Sequence, residues 1–237
     1  MLSGCRANES TAKPAETKAM PAPAPPRVLD VKPEGPPARL VVVLHGVGAD
    51  ADDLLPVARA LSPTLPDAEW LVADGFHPFS GGGTGREWFS IVGITEENRG
   101  ARVKTAAEAV ARWIDDELAA RKLGWDRLVL LGFSQGSILA NWLAVHRGPR
   151  AVVAFSGRFA DVAEPGSPHD PIRTNTPVLV VHGARDPVIP VSNADDVKKA
   201  LEARGARVTV SIHPALGHGI DAQGIDEARA FLAREAK

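Results

Sequence analysis

Three observations predict an α/β fold, a mostly parallel sheet with helices on both faces. Uninterrupted apolar runs such as Leu40-Val41-Val42-Val43-Leu44 and Val129-Leu130-Leu131 read as strands buried on both sides. Segments with apolar residues at helical spacing follow several of them. From Ala38 onward the two patterns alternate, with no internal repeat, as a parallel sheet joined by helical crossovers requires.

The elements come in order. Residues 1–37 hold eight of the chain's 20 prolines among Ala, Lys and Glu. Such a segment has little to bury and few helix-compatible N–H groups, so a disordered tether is expected over 1–37 and one domain over 38–237. Arg39–Leu44 is the first expected strand, followed by a helix near Asp52–Leu61 and a short strand at Trp70–Ala73. An irregular stretch to about Asn98 precedes a long amphipathic helix reaching about Leu123. Val103, Ala106, Val110, Trp113, Ile114 and Leu118 form its apolar face, and Gly124 is expected to close it. Arg127–Leu131 is a strand whose helix runs to about His146. Ala151–Phe155, Val178–Val181 and Val208–Ile212 are further strands, with helices near Asn193–Arg204 and Ile225–Arg234.

Composition narrows the function. The formal net charge of −2 gives no electrostatic pull toward nucleic acid, so no nucleic-acid partner is expected. No run of about 18 apolar residues could form a membrane-spanning helix. The one cysteine, Cys5, excludes an intramolecular disulfide and a Cys-rich zinc site, and no metal or cofactor is expected.

The chemistry concentrates at Gly132-Phe133-Ser134-Gln135-Gly136, where a strand pattern gives way to a helical one. A G-x-S-x-G turn at a strand-to-helix junction strains its central residue and crowds the positions two away, which glycine relieves. It also lifts the serine hydroxyl clear of the sheet. In an open parallel sheet, ligands bind beyond the carboxyl ends of the strands. Asp186 lies in such a loop, made rigid by Pro187, and His218 lies in another, between Gly217 and Gly219. Ser134, Asp186 and His218, each after a different strand, follow the chain order of α/β-hydrolases. A serine hydroxyl needs a neutral imidazole to take its proton, and a carboxylate fixes that imidazole's tautomer. His213 is the second candidate for the base. The oxyanion hole is expected from the backbone N–H groups of Gln135 and Val47, the latter in the glycine-bearing loop His45-Gly46-Val47-Gly48. His45 itself reads as a loop-fixing residue.

These residues sit in motifs that resemble the phospholipase/carboxylesterase group of α/β-hydrolases, which includes bacterial carboxylesterases and acyl-protein thioesterases. The matching pieces are "LHGVGAD", "REWFSI", "GFSQGS", "HGARDPVIP" and "GHGI", in order across residues 38–237. The resemblance implies hydrolysis of small-molecule esters or thioesters of small to medium acyl groups without cofactor. It carries the catalytic roles to Ser134, Asp186 and His218 and the oxyanion roles to Val47 and Gln135. A lysophospholipase is the alternative enzyme, and a non-catalytic hydrolase-fold binding protein the alternative of another class. Many relatives have aspartate after the Trp-Phe/Tyr pair where this chain has Ser90, so substrate preference does not carry over.

Other features resolve more simply. Gly81-Gly82-Gly83-Thr84-Gly85 lacks the Lys-Ser/Thr ending of a phosphate loop, and its glycines are expected to provide flexibility. Trp88 and Phe89 either line an acyl pocket or pin their loop to the core. Leu2-Ser3-Gly4-Cys5 fits the pattern before a lipidated cysteine in bacterial lipoproteins, yet only Met1 lies upstream of it. The location is therefore cytoplasmic if Met1 is the natural start. It is a membrane-tethered envelope protein if the start lies upstream and Cys5 is lipidated.

Overall fold

The computed structural model describes residues 24–162 and 175–236. Its strands are β1 (Val28–Val31), β2 (Arg39–Leu44), β3 (Ala68–Ala73), β4 (His77–Pro78), β5 (Arg86–Glu87), β6 (Leu128–Phe133), β7 (Ala151–Phe155), β8 (Pro177–Gly183) and β9 (Arg207–His213). Its α-helices are α1 (Ala51–Leu61), α2 (Glu96–Ala120), α3 (Gln135–His146), α4 (Ser192–Glu202) and α5 (Ala222–Glu235). Seven strands form one sheet in the order β1-β3-β2-β6-β7-β8-β9, parallel except for the antiparallel β1. β4 and β5 make a separate two-residue ladder.

The alternation of side chains along each strand divides the core. Leu40, Val42, Leu44 and Leu130 pack under α2, α3 and α4, while Val41, Val43, Val129, Leu131 and Val153 pack under α1 and α5. The central strands are therefore apolar on both faces, as their unbroken Val/Leu runs predict. Helix α3 is buried along nearly its whole length, from Gln135 to Val145.

The expected tether boundary at residue 37 needs correction. Residues 1–23, Cys5 included, lie outside the described residues. Val28–Val31, however, pairs with β3 in register from Val28↔Ala73 to Val31↔Trp70. Leu29 and Val31 pack on the α1/α5 side of the core and Val28 on the other. Just before the strand, the Arg27 carbonyl accepts from Asp74 N–H (2.9 Å) and the Arg27 guanidinium binds the Asp74 carboxylate (3.0 Å). Prolines bracket this strand at Pro26 and Pro33 without interrupting it, and an edge strand leaves one row of N–H groups unpaired, so the surrounding prolines are tolerated.

Helix α2 also departs from expectation. It starts at Glu96 behind a reciprocal Thr95/Asn98 cap and ends at Ala120. Lys122, at φ 56°, takes the left-handed closing position assigned to Gly124, and Leu123 N–H bonds back to Leu118 O at 2.9 Å. Gly124 is extended and leads into the short turn before β6.

Candidate active site

The turn between β6 and α3 carries Ser134 at φ 51°, in the left-handed region that a non-glycine residue seldom occupies. A Cβ on Gly132 would collide with the backbone of Gly136 and Ser137, and one on Gly136 with the backbone of Leu44. Both glycines are thus imposed by close packing of main chain on main chain. The strained turn is held by Ser134 N–H to Phe155 O (2.9 Å) on β7, and by Gly136 N–H to His45 O (3.1 Å) at the end of β2.

From this turn a hydrogen-bonded row extends across two strand ends. His218 Nε2 lies 2.9 Å from Ser134 Oγ, and His218 Nδ1 lies 2.7 Å from Asp186 Oδ2. The loops bearing the two residues are tied together by Ala184 N–H to His213 O (2.9 Å) and Arg185 N–H to Leu216 O (3.0 Å). Phe133 packs its ring 5.0 Å from the His218 ring. The other Asp186 oxygen accepts from Val188 N–H and Ile189 N–H, both at 2.8 Å. Burial opposes ionisation of this carboxyl. The hydrogen bond from His218 and those from the two backbone amides outweigh it, keeping Asp186 below the ordinary carboxylate range. Asp186 is therefore an anion at neutral pH, facing one ring nitrogen of His218 while the other faces the serine.

His213 is drawn away from this row. Its Nδ1 lies 2.9 Å from Asp221 Oδ1 and its Nε2 3.2 Å from Glu227 Oε2, both carboxylates belonging to α5 or its cap. Burial alone would lower its pKa, but the two carboxylates prevail and raise it. With both nitrogens occupied by acids, His213 anchors α5 to β9.

The loop after β2 lies against the serine, since a Cβ on Gly46 would stand 3.2 Å from Ser134 Cβ. His45 fixes this loop from within. Its Nε2 accepts from Gly75 N–H (2.8 Å), so its Nδ1 carries the proton donated to Gly46 O (2.6 Å). Burial lowers the His45 pKa and keeps the ring neutral. The backbone N–H groups of Val47 and Gln135 have no hydrogen-bond partner among the described residues.

The glycine-rich stretch is held at its end, while a Cβ on Gly82 or Gly83 at its centre would have no neighbour within 4 Å. Gly85 packs on Gly48, where a Cβ would overlap the Gly48 carbonyl. Gly48 N–H donates to Arg86 O and Arg86 N–H to Ala49 O, each at 2.8 Å, strapping the β4–β5 hairpin to the loop after β2. The following segment is clamped by the Gln135 side chain, which accepts from Trp88 N–H (2.8 Å) and donates to Phe89 O (2.7 Å). Trp88 is 1% exposed and its indole N–H donates to His45 O (3.0 Å). It pins the loop, while Phe89 lies at the edge of the same core.

Two contributors carry no local sequence signal. The Gln135 side chain joins the serine turn to the Trp88 segment. His182, fully buried on β8, directs Nε2 at Ile189 O (2.9 Å) and stands 3.3 Å from Asp186 Oδ2, so it braces the acid loop. Their partners lie far away in sequence or across a loop, and no local motif marks them. Among the described residues, no group of three or more His, Cys, Asp or Glu side chains could hold a metal ion. No helix among them is long and apolar enough to cross a membrane.

Sheet order, the strained serine turn and functional groups at strand carboxyl ends define an α/β-hydrolase. Comparison with known proteins makes the class specific: the phospholipase/carboxylesterase family matches residues 28–235, and the chain belongs to that family of esterase-type hydrolases. It is 35% identical over 206 residues to "Esterase YpfH" of Escherichia coli (strain K12), covering 84% of each chain. "Acyl-protein thioesterase 1" of Gibberella zeae is 30% identical over 118 residues, 46% of this chain and 48% of that protein. Among solved structures, esterase PE8 superposes with a TM-score of 0.76 at 30% identity, covering 89% of this chain and 98% of that one. The family match begins at Val28, the first residue of β1.

Proposed function

We propose that the chain hydrolyses carboxylic esters or thioesters of small to medium acyl groups through a Ser134-His218-Asp186 triad. The observation that carries this reading is the row from the strained Ser134 hydroxyl through His218 to the buried, ionised Asp186, at 2.9 and 2.7 Å. Ser134 Oγ attacks the carbonyl carbon as its proton passes to His218 Nε2, and Asp186 stabilises the imidazolium. The oxyanion receives the Val47 and Gln135 N–H groups, which have no partner among the described residues. On collapse the carbonyl–oxygen or carbonyl–sulfur bond breaks, and His218 gives its proton to the departing alkoxide or thiolate. Water, deprotonated by His218, then cleaves the acyl-serine, and the proton returns to Ser134.

Exposed apolar side chains at the carboxyl end of the sheet support an acyl substrate. Ile91 and Val92 follow the Trp88-Phe89 segment and Val188 follows Asp186. They are three of the four large apolar residues left exposed among the described residues. The test is covalent labelling by a fluorophosphonate, with mass mapping of the modified peptide, beside hydrolysis of p-nitrophenyl esters of graded length. Label on Ser134, absent in Ser134→Ala together with turnover, is expected. An unlabelled Ser134, or full turnover in Ser134→Ala, would refute the triad.

A further inference from the structure

A second polar cluster lies in the loop after β7, which starts at the serine turn and runs along α3, where Arg158 O accepts from Asn141 Nδ2 at 3.3 Å. Ser134 N–H binds Phe155 O, the last residue of that strand, so the loop begins in contact with the serine turn. Gly157 sits on Ser137, one helical turn beyond Ser134, where a Cβ would strike the Ser137 side chain. The same loop packs on the first turns of α2, since a Cβ on Gly100 would overlap the Asp161 carbonyl. Across from it, Arg102 of α2 holds the carbonyls of Ser90 (2.7 Å) and Val92 (2.8 Å), fixing the segment that Gln135 clamps at Phe89. The start of α2 thus adjoins both loops that flank Ser134.

Two guanidinium groups meet there. Arg158 and Arg99 side chains are 19% and 18% exposed. Glu96 is the carboxylate within ion-pair reach of either among the described residues, 2.7 Å from Arg99 and 3.7 Å from Arg158, and its own side chain is 78% exposed. At 3.7 Å the Arg158–Glu96 contact is longer than a hydrogen bond, so the donor fork of Arg158 makes none among the described residues. Two neighbouring donors are also unsatisfied and buried, Arg99 Nε–H and the Ser137 hydroxyl. Burial, and then the charge of Arg99, make it harder for Arg158 to keep its proton, against the pull of Glu96. A largely buried cation facing another cation is costly unless an anion completes the set.

We propose that Arg158, backed by Arg99, is an anion subsite in the loop that leaves the serine turn, so that the preferred esters carry a carboxylate or phosphate. The inference rests on the esterase reading above. A planar guanidinium with its fork free pairs with either oxyanion through two parallel N–H bonds. The anion replaces the long, exposed contact to Glu96 and holds the ester by the end remote from the scissile bond. Specificity then comes from charge at this subsite as well as from acyl length.

The test compares kcat/KM for p-nitrophenyl valerate with that for the mono-p-nitrophenyl ester of glutaric acid, similar in length but ending in a carboxylate. A second arm compares a short-chain acylglycerol with the same acylglycerol phosphate, placing the anion on the leaving group. In one arm the anionic-to-neutral ratio should fall by about 10- to 100-fold in Arg158→Gln, mainly through KM, the range of one lost charge-assisted contact. Arg158→Lys should recover part of it, and the arm that responds identifies the source of the anion. Glu96→Gln, which removes the competing carboxylate, should move the same ratio upward, and it serves if Arg158→Gln does not fold. Ratios unchanged by these substitutions in both arms would overturn the subsite. Failure of the wild-type enzyme on the neutral esters would instead count against the triad reading.

Discussion

Replacing Gln135 by Met tests whether the serine turn and the Trp88 segment act as one unit. Methionine keeps nearly the same volume but cannot hydrogen-bond as the amide does. The change leaves Trp88 N–H and Phe89 C=O without their partners at 2.8 and 2.7 Å, in a place where Trp88 is 1% and Phe89 8% exposed. An unsatisfied buried group costs about 1–3 kcal/mol, so the pair should cost about 2–6 kcal/mol. For a domain of this size each kcal/mol moves Tm by about 2–4 °C, which places the expected fall at about 8–16 °C for the middle of that range. Trp88→Phe is the internal comparison. It removes the indole donor to His45 O, a carbonyl that still accepts from Gly136 N–H, and leaves a cavity where the larger buried ring was, so about 2–3 kcal/mol is expected without loss of the Gln135 clamp. Since the Gln135 backbone N–H, which methionine retains, is proposed for the oxyanion hole, kcat/KM on a p-nitrophenyl ester should also fall, by about tenfold, as the unclamped wall shifts. Thermal unfolding by circular dichroism with steady-state kinetics checks both. A Gln135→Met enzyme within about 2 °C of wild-type Tm and at wild-type rate would refute the coupling.

Four further outcomes are expected. Ser134→Ala, His218→Ala and Asp186→Asn should each lower kcat by about 10³-fold or more, with far-ultraviolet dichroism unchanged; near-normal turnover in His218→Ala would exclude it as the base. Asp186→Asn can keep an acceptor for the Val188 and Ile189 amides while losing the charge that orients His218, so its Tm should change far less than its kcat. His213 has a folded pKa raised by Asp221 and Glu227, so its contribution is complete below the unfolded value near 6.5 and fades as pH climbs through the folded one. The Tm gap between wild type and His213→Gln should therefore narrow from pH 6 toward pH 9, and a gap that widens would contradict the pairing. Incubation with EDTA should leave ester hydrolysis unchanged, and a loss reversed by zinc would point to a metal-dependent reaction.

The parts of the fold legible in the sequence are those fixed by local pattern. Arg39–Leu44 and Ala151–Phe155 fall where the unbroken apolar runs place them, because a strand covered on both sides cannot alternate. The G-x-S-x-G turn was readable because its glycines answer a steric demand two residues away. What escaped depends on distant partners. Val28-Leu29-Asp30-Val31 is a short apolar run inside proline-rich surroundings, and only the open edge of β3 makes it a strand. Gly85 owes its identity to Gly48, far away in the chain. His213 ends β9 and His218 lies in the loop directly after it. What separates them is the pair of acids from the α5 region, which bind His213 and leave His218 to Asp186 and Ser134.

The edge strand leads to the last expectation. Removing residues 1–37 deletes β1 and Arg27 and uncovers the β3 edge from Trp70 to Ala73. Val28, Leu29 and Val31 are half-buried, and at about 1 kcal/mol each their loss comes to about 3 kcal/mol. Arg27 adds little directly, since its side chain is 47% exposed and solvent screens the pair with Asp74. Asp74, however, also accepts from Ala51 N–H at the start of α1 (2.9 Å), directly after the loop that carries Val47. Loosening that carboxylate should reach the proposed oxyanion hole by way of α1. The truncated chain should thus melt about 6–12 °C lower and, at 25 °C, lose more kcat than affinity. A chain starting at Ala38 with wild-type Tm and kcat would mean that β1 is dispensable, and that the β3 edge needs no cover.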